Sequence, residues 1–340
     1  LCEQAAEEFE KAWSYLGNRD VNIRRFYRSH KWEETKDGII IAGLQKLWSY
    51  VKNNNTDLFF AAENISLVIF DEAHQSISET YKLPVEIITT KNYGCKFLGL
   101  TATPGRTWDD IDKDKILSDF YNNRKVSLKV KGYDSPIKYL VDQKYLSNTI
   151  FQSLEVNTQL NLSEEDIKSI ERNTEYSNVI LNELSNNGER NSIILEKIGN
   201  LIDLKHERIL VFAMSVKHAI MINAMLKNSG INSEVITGET DVIKRRNSIS
   251  KFKEVGGEAM VLCNYGVLTT GFDAPLTSAA VITRPTKSLV LYSQMVGRAI
   301  RGPLVKGTAE AEIWTVVDIN LPGFGNLIEA FNNWEDVWRD

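Results

Sequence analysis

Two adjacent acids, Asp71 and Glu72, and a nearby histidine, His74, follow directly after the apolar residues 67–70. An apolar run that stops abruptly at charged residues is typical of a strand in a parallel sheet, and such sheets bind ligands at the carboxyl ends of their strands. At that position Asp71 is suited to hold the waters of a Mg²⁺ ion, and Glu72 to orient and deprotonate an attacking water. An acidic turn at the start of the next helix is the structural alternative.

Two hydroxyl groups follow the next apolar run in the same way. Thr101 and Thr103 come after residues 97–100 and before Pro104. Because they are two residues apart, their side chains point the same way from an extended backbone. They are therefore placed to bond to the acids of a neighbouring strand end and to respond to a phosphate, with a simple Thr-Pro turn as the alternative.

Two arginines and a glutamine recur within residues 288–301, a run with the periodicity of a helix. At about 100° per residue, this helix would place Gln294, Arg298 and Arg301 on one stripe, opposite an apolar stripe. A solvated polar face is the alternative. Gly297 argues against it, because a glycine within a helix costs about 0.5–1 kcal/mol relative to alanine and is typical of a close approach by another group.

A fourth segment, residues 261–275, runs from an apolar strand into a loop of small and hydroxyl-bearing residues. The backbone amides and the hydroxyl of Thr269 are suited to phosphates, and Asp273 is suited to a ribose hydroxyl. The segment is therefore a candidate binding loop. Because Gly271 and Pro275 are equally typical of a turn, an ordinary connecting loop is the alternative.

The elements that must position these residues are strands alternating with helices, the pattern of an α/β protein with parallel sheets. Two sets of apolar runs are predicted to be strands buried on both faces. They are residues 38–42, 66–70 and 96–100, then 208–213, 233–236, 259–263, 279–283 and 312–317. Residues 1–13 are predicted to form a helix, and residues 163–166 resemble a capping box that begins another helix.

The composition is that of an ordinary globular protein with room for two cores, since 43% of the 340 residues are hydrophobic and 25% are charged. The net charge of −5 argues against a passive nucleic-acid coat, but a motor needs only a local strip of donors. Neither a membrane span nor a secretion signal is visible, so a cytoplasmic location is expected. Cys2, Cys95 and Cys263 lack the paired spacing of a zinc site or a disulfide framework.

Taken together in their order along the chain, the four chemical segments resemble those of the superfamily two helicases, in particular the D-E-A-H group that includes restriction-type and repair translocases. The resemblance covers nearly the whole chain, which makes it far more specific than any one motif. It implies two RecA-like parallel-sheet lobes that close on ATP and Mg²⁺, hydrolyse ATP in the cleft between them and move along nucleic acid.

The resemblance assigns a role to each candidate residue of the first lobe. Asp71 and Glu72 match the acids that hold Mg²⁺ and activate water. His74 matches the residue that links the state of ATP to the other lobe. Thr101 and Thr103 match a hydroxyl pair that couples hydrolysis to movement.

In the second lobe, Gly271 and Asp273 match a loop that touches the nucleotide. Gln294 matches a residue that meets the nucleotide or its attacking water, and Arg298 and Arg301 match arginine fingers. In phosphoryl transfer such a finger is worth about 10³ to 10⁵ in rate. The resemblance therefore implies that loss of either arginine nearly abolishes turnover.

Weaker similarity indicates contacts with the nucleic-acid backbone. Residues 1–4, 39–47 and 211–215 resemble segments that touch it, although Gly43 stands where the family often has threonine, which puts a side-chain phosphate contact there in doubt. The candidate nucleic-acid contacts are Gln45, Thr237, Gly238, Arg245 or its neighbour Arg246, and Thr269.

The resemblance also predicts the division of the chain. Residues 1–140 are expected to form the first RecA-like lobe, residues 141–205 a linker and helical segment, and residues 206–340 the second RecA-like lobe. No Gly-Lys-Ser or Gly-Lys-Thr occurs in the chain. The Walker A loop that cradles the phosphates is therefore expected upstream, the first lobe is expected to be incomplete at its N-terminus, and the chain alone is expected to be inactive.

The resemblance favours DNA as the track, in a restriction, repair or phage-defence setting with nuclease or other defence or repair subunits as partners and no membrane. RNA is the alternative substrate. A scaffold that binds nucleic acid or a partner without hydrolysis is the alternative of a different class. The retained acids and arginines argue against a scaffold, because charges are costly to bury.

Overall fold

The computed structural model describes most of the chain. The described residues are 2–33, 37–53, 56–101, 111–160, 162–172, 175–268, 272–286 and 288–321. Described residues up to 125 belong to unit 1, and those from 126 onward belong to unit 2. None of the described helices combines the length and the apolar character needed to cross a bilayer.

Unit 1 contains two separate pairs of parallel strands and five α-helices in its described residues. The helices are α1 Cys2–Leu16, α2 Leu44–Lys52, α3 Asp57–Ala61, α4 Glu79–Lys91 and α5 Ile111–Phe120. The strands are β1 Asn22–Phe26, β2 Gly38–Ala42, β3 Leu67–Asp71 and β4 Lys96–Leu100. Strand β1 pairs with β2, and β3 pairs with β4 in the register that sets Asp71 beside Leu100. The structure confirms the predicted first helix and three predicted strands, and it adds β1.

Strands β3 and β4 bury only one face of their pair. On that face Phe70 and Phe97 stack with ring centroids 6.3 Å apart, and they pack in one cluster with Val85 of α4. On the other face Ile69 is 43% exposed and Leu98 is 46% exposed. The prediction that these strands are buried on both faces is therefore wrong for this pair, since the described elements of unit 1 pack against one face.

Unit 2 is a three-layer α/β fold around one six-stranded parallel sheet. Its helices are α6 Pro136–Asp142, α7 Glu164–Arg172, α8 Asn178–Ser185, α9 Gly188–Asp203, α10 Val216–Asn228, α11 Val242–Phe252 and α12 Leu289–Val296. Its strands are β5 Asn148–Val156, β6 Arg208–Phe212, β7 Ser233–Ile236, β8 Met260–Asn264, β9 Ala279–Ile282 and β10 Glu310–Asp318. The strand order is β5-β10-β9-β6-β8-β7. Every residue of β6, β8 and β9 is buried, which confirms the prediction drawn from their continuous apolar runs.

The segment expected to hold a linker and helices also contains a strand. Strand β5 pairs with β10 along nine residues, from Asn148 beside Glu310 to Val156 beside Asp318. Exposed and half-buried residues alternate along most of this strand, as expected for a strand at the edge of a sheet. The capping box before α7 is confirmed, because the amide of Asp166 donates to the Ser163 hydroxyl at 3.1 Å.

A fully buried ion pair joins α9 to the carboxyl edge of the unit 2 sheet. The guanidinium of Arg190 donates to both carboxylate oxygens of Asp318 at 2.9 and 3.0 Å, and both side chains are 0% exposed. Arg190 also donates to the carbonyl of Thr283 at 2.7 Å, and Asp318 accepts a hydrogen bond from the Thr158 hydroxyl at 2.7 Å. One charged cluster therefore ties the end of β10 to the segments that follow β5 and β9.

A buried histidine lies beside this cluster. The amide of Met214 donates to His218 Nδ1 at 3.2 Å, and His218 Nε2 lies 3.1 Å from the side-chain oxygen of Asn191. The acceptor at Nδ1 and the donor at Nε2 together require a neutral imidazole. Burial, together with the nearby positive charge of Arg190, lowers the pKa of His218 to about 3.

Replacement of Asp318 by asparagine should strongly destabilise unit 2, because it leaves the Arg190 charge buried without a counter-charge. Removing one partner of a buried pair costs about 3–5 kcal/mol of unfolding free energy. Urea denaturation followed by circular dichroism measures the loss. Glu164→Gln makes the same chemical change at an exposed pair with Lys168 and should leave the urea midpoint nearly unchanged. Equal midpoints for the two variants would contradict the role of the buried pair.

The stabilising effect of neutral His218 should decrease in acid. Its folded pKa of about 3 lies below the ordinary value of about 6.5, so the unfolded chain binds more protons between these pH values. The unfolding free energy should therefore fall by up to about 1.4 kcal/mol per pH unit from this residue as the pH drops below about 6.5. The measurement is the stability difference between wild type and His218→Gln, which should be constant above pH 7.5 and shrink in acid. A difference that stays constant down to pH 4.5 would sink this assignment.

Candidate functional site

In unit 1, the acid loop, defined as residues 71–75, turns sharply at the end of β3. Glu72 has φ 53° and ψ 52°, the left-handed region that non-glycine residues rarely adopt, and a short 3-10 helix follows at Ala73–Gln75. Asp71 Oδ1 accepts a hydrogen bond from the Glu72 amide at 3.0 Å. Strained backbone of this kind clusters at functional sites, because only the surrounding packing holds it in place.

His74 connects the acid loop to the end of β4. Its ring is 7% exposed, and its Nδ1 atom lies 3.5 Å from Glu72 Oε2 and 3.3 Å from the Thr101 hydroxyl. The structure therefore brings together Glu72, His74 and Thr101, three of the residues singled out from sequence. Thr103 lies outside the described residues.

Tyr121, which sequence reasoning missed, packs beneath the acid loop. Its hydroxyl donates to the Ser76 hydroxyl at 3.3 Å, and burial raises its pKa. A Cβ built at Gly99 of β4 would lie 2.6 Å from Tyr121 Cζ and 2.7 Å from Ala73 Cβ, so only glycine allows this approach. The available signal was Gly99 itself, since a glycine inside a strand often marks a close approach.

The donor chemistry of the acid loop fits a magnesium ion. Asp71 is exposed at the strand end, and only one of its carboxylate oxygens accepts the Glu72 amide. Magnesium in nucleotide sites is held through one or two carboxylates, with water and phosphate oxygens filling the other positions. The described residues contain no group of three metal-ligating side chains, so a dedicated all-protein cage is not formed within them.

In unit 2, the predicted arginine helix ends earlier than expected. Helix α12 stops at Val296 with Gly297 as its C-cap, and Arg298 lies in the following turn. Arg301 forms an isolated antiparallel bridge with Leu146. The prediction that a single helical stripe carries Gln294 and both arginines is therefore wrong. The physical reason is long-range, because the backbone after Gly297 pairs with residues 144–147 instead of continuing the helix.

Both arginines nevertheless reach the same short segment. Arg298 Nη1 donates to the carbonyl of Phe272 at 2.6 Å, and Arg301 Nε lies 3.6 Å from Asp273 Oδ1. The side chains of Arg301 and Asp273 are 41% and 57% exposed, so their charges are accessible to a ligand. Gln294 is half-buried on α12, one turn before Arg298.

Thr237, Gly238 and Arg245, three candidate nucleic-acid contacts of unit 2, form a local group after β7. Arg245 Nη2 donates to the carbonyls of Thr237 at 2.7 Å and Gly238 at 3.3 Å, so this guanidinium braces the loop from α11. In unit 1, Gln45 is exposed on α2. Thr269 and Gly271 lie outside the described residues.

Arg284 is a further charged residue at the carboxyl edge of the unit 2 sheet. It follows β9, donates to Glu175 at 3.2 Å and lies 5.7 Å from the ring centroid of Tyr265, which follows β8. Sequence reasoning missed it, although an arginine directly after a buried strand is the same signal that drew attention to Asp71. It joins the loops that follow β9 and β8, the two strands on either side of β6.

Gly99→Ala should push Tyr121 and the acid loop apart, because the added methyl group would overlap both. Overpacking of this kind costs about 1–3 kcal/mol. Hydrogen exchange read by mass spectrometry should show faster exchange across residues 71–76. The matched control is Gly199→Ala within α9, where no atom lies within 4 Å of the built Cβ. That change should stabilise its helix by about 0.5–1 kcal/mol, and slower or unchanged exchange in Gly99→Ala would refute the packing argument.

Two known families match the chain. The family described as "Type III restriction enzyme, res subunit" (ResIII) matches residues 1–106. The family described as "Helicase conserved C-terminal domain" (Helicase_C) matches residues 189–303. The acid loop lies in the first match, and both arginines lie in the second.

Individual proteins are similar over most of this chain. The putative ATP-dependent helicase IRC3 of Saccharomyces cerevisiae is 29% identical over 269 residues, which are 77% of this chain and 35% of the yeast protein. The chain thus spans about a third of the length of this curated relative.

Solved structures share the fold. S. cerevisiae Dbp5 bound to RNA and ADP BeF3 aligns with a TM-score of 0.60 at 12% identity, covering 98% of this chain and 72% of that chain. The DUF1998 helicase MrfA bound to DNA aligns with a TM-score of 0.59 at 16% identity, covering 99% and 44%. The chain carries ResIII and Helicase_C domains on RecA-like parallel sheets and has the fold of the superfamily two helicases.

Proposed function

We propose that this chain is part of an ATP-dependent helicase or translocase motor that hydrolyses ATP to move on nucleic acid. The observation that carries the proposal is the acid loop, in which a strained Glu72 at the end of β3 contacts a buried His74 that also reaches Thr101. A scaffold without hydrolysis would have no use for a carboxylate held in this costly backbone conformation.

Asp71, Glu72 and His74 of the acid loop have distinct tasks in this proposal. Asp71 would hold Mg²⁺, which neutralises negative charge on the phosphates when bound. Glu72 orients the attacking water and accepts its proton, and His74 holds the Glu72 carboxylate from the protein interior. Thr101, through His74, couples the state of the acid loop to the end of β4, and Thr103 is proposed to assist.

The residues of unit 2 supply positive charge and nucleotide contacts. Arg298 and Arg301 are proposed to stabilise the charge that develops on the transferred phosphoryl group. Gln294 is proposed to meet the nucleotide or its water. Gly271 and Asp273 are proposed to contact the nucleotide, and Asp273 also pairs with Arg301, so nucleotide contact and arginine orientation are linked.

We propose DNA as the track. The description of the ResIII family names a subunit of a restriction enzyme. MrfA shares the fold in a complex with DNA, whereas Dbp5 shares it in a complex with RNA. The proposed track contacts are Gln45, Thr237, Gly238, Arg245 and Thr269. Nuclease, defence or repair subunits as partners, a phage-defence or restriction setting and a cytoplasmic location belong to the same proposal.

Substitution of Glu72 by glutamine or of Arg298 by alanine should reduce the DNA-stimulated ATPase kcat of the full-length protein by about 10³-fold or more. The first change removes the base that activates water. The second removes a positive charge that stabilises the transferred phosphoryl group. A coupled assay of ADP release measures kcat with duplex DNA, single-stranded DNA and RNA of equal length.

The controls make the same chemical changes at exposed sites of unit 1. Glu86→Gln on α4 and Arg19→Ala, whose side chains are 57% and 60% exposed, should retain wild-type kcat. Strongest stimulation by RNA would move the track from DNA to RNA. Nucleic-acid binding by a wild type without hydrolysis would replace the motor with the scaffold.

A further inference from the structure

The backbone on the far side of Arg301 is held by a segment that lies more than 150 positions earlier in the chain. The amide of Ser147 donates to the Ile300 carbonyl at 3.0 Å, and the amide of Gly302 donates to the Tyr145 carbonyl at 2.9 Å. We call residues 144–147 and 300–308 together the clamp. It replaces the helix that the sequence predicts at Arg301 with an antiparallel bridge.

Ser147 joins both ends of the clamp through its side chain. Its hydroxyl lies 2.8 Å from the Arg301 carbonyl and 2.8 Å from the Thr308 carbonyl, and the residue is 1% exposed. The amide of Thr308 also donates to the Arg301 carbonyl at 2.9 Å. Two hydrogen bonds, from the Ser147 hydroxyl and the Thr308 amide, therefore hold the carbonyl of Arg301.

Two glycines let the clamp close this tightly. A Cβ built at Gly302 would lie 2.3 Å from the Lys144 carbonyl oxygen, and one built at Gly307 would lie 1.9 Å from the Arg301 carbonyl oxygen. Between them Lys306 adopts the left-handed conformation with φ 66°. Residues 302–307 thus fold back on Arg301 in a turn that only glycine permits at both ends.

The side chain of Ser147 is not needed to hold its own strand. Strand β5 begins at the next residue and pairs with β10 over nine residues, and the Asn148 amide donates to the Ala309 carbonyl at 2.9 Å. Besides its contact with the Thr308 carbonyl, the hydroxyl adds a direct bond to the backbone of Arg301. The arginine side chain can adopt many rotamers. A fixed Arg301 backbone, together with the ion pair to Asp273, limits the positions that its guanidinium can take.

We propose that Ser147 is a positioning residue for Arg301, and that the clamp holds this arginine ready for the phosphoryl group. The role rests on the proposed ATPase function. Ser147 links the segment that leads into β5 to Arg301 through hydrogen bonds, and Ser147 itself does not touch the substrate.

The test is ATP hydrolysis by the full-length protein under single-turnover conditions, which keep slow variants measurable. Ser147→Ala removes one oxygen atom and should lower the maximal rate about 10- to 100-fold, the effect expected of a misplaced catalytic group. The ATP concentration at half-maximal rate should stay within about twofold, because the lost interaction acts on the transition state. Ser147→Cys keeps the shape of the side chain but replaces the hydroxyl with a somewhat larger and weaker donor, and it should show the same split.

Two further comparisons separate positioning from a general loss of structure. Ser233→Ala removes another serine hydroxyl that is 1% exposed, at the opposite edge of the unit 2 sheet, and should keep the wild-type rate. In an Arg301→Ala background, Ser147→Ala should change the rate less than about twofold, because a positioning residue has nothing left to position.

The outcomes distinguish this proposal from the proposed function. A wild type that does not hydrolyse ATP overturns the proposed function and the role of Ser147 with it. A hydrolysing wild type whose Ser147→Ala variant keeps its full rate overturns the positioning role alone. The positioning role is also overturned if Ser147→Ala lowers the rate by the same factor in the wild-type and Arg301→Ala backgrounds. Ser147 would then act independently of Arg301.

Discussion

The Arg190–Asp318 pair holds together the edge of the unit 2 sheet at which the candidate functional loops begin. Arg190 comes from α9, Asp318 ends β10, and the Thr283 carbonyl that completes the cluster follows β9. With both charges fully buried, the cluster is stable only while every partner is in place. Because Arg190 binds the carbonyl of Thr283, the backbone of the next residue, Arg284, is held in place. The position of the half-buried Arg284 guanidinium thus depends on an ion pair whose two side chains are fully buried.

In unit 1, packing and backbone strain hold the acid loop in place, and no fully buried ion pair is involved among its described residues. Its acid loop starts from a strand pair with one exposed face, so little sheet lies behind it. The left-handed Glu72 and the close approach of Gly99 to Tyr121 supply the missing constraint. His74 then has one fixed place, between the Glu72 carboxylate and Thr101. Strain that costs free energy locally is balanced by contacts with residues 20 or more positions away.

Sequence reasoning succeeded where burial alone decides the structure. Continuous apolar runs located β6, β8 and β9, and charged residues directly after such a run located Asp71 and Glu72. It failed where a distant partner decides. The edge strand β5 alternates and is defined by β10, and Tyr121 gave no local sign of its place beneath the acid loop. Hydrophobic periodicity reports how a segment meets a core, and it carries no information about which remote backbone a segment will pair with.

The end of α12 shows what this limitation means for a functional argument. A helix through residue 301 would place Arg298 and Arg301 on one face because of their spacing. In the structure the helix ends at Val296. Arg298 nevertheless contacts Phe272, and Arg301 contacts the adjacent Asp273. Their convergence therefore comes from tertiary hydrogen bonds and not from helical periodicity. Sequence reasoning brought these two arginines together through a wrong intermediate structure. It used side-chain chemistry and order along the chain, whereas distant segments fix the backbone that carries the two side chains.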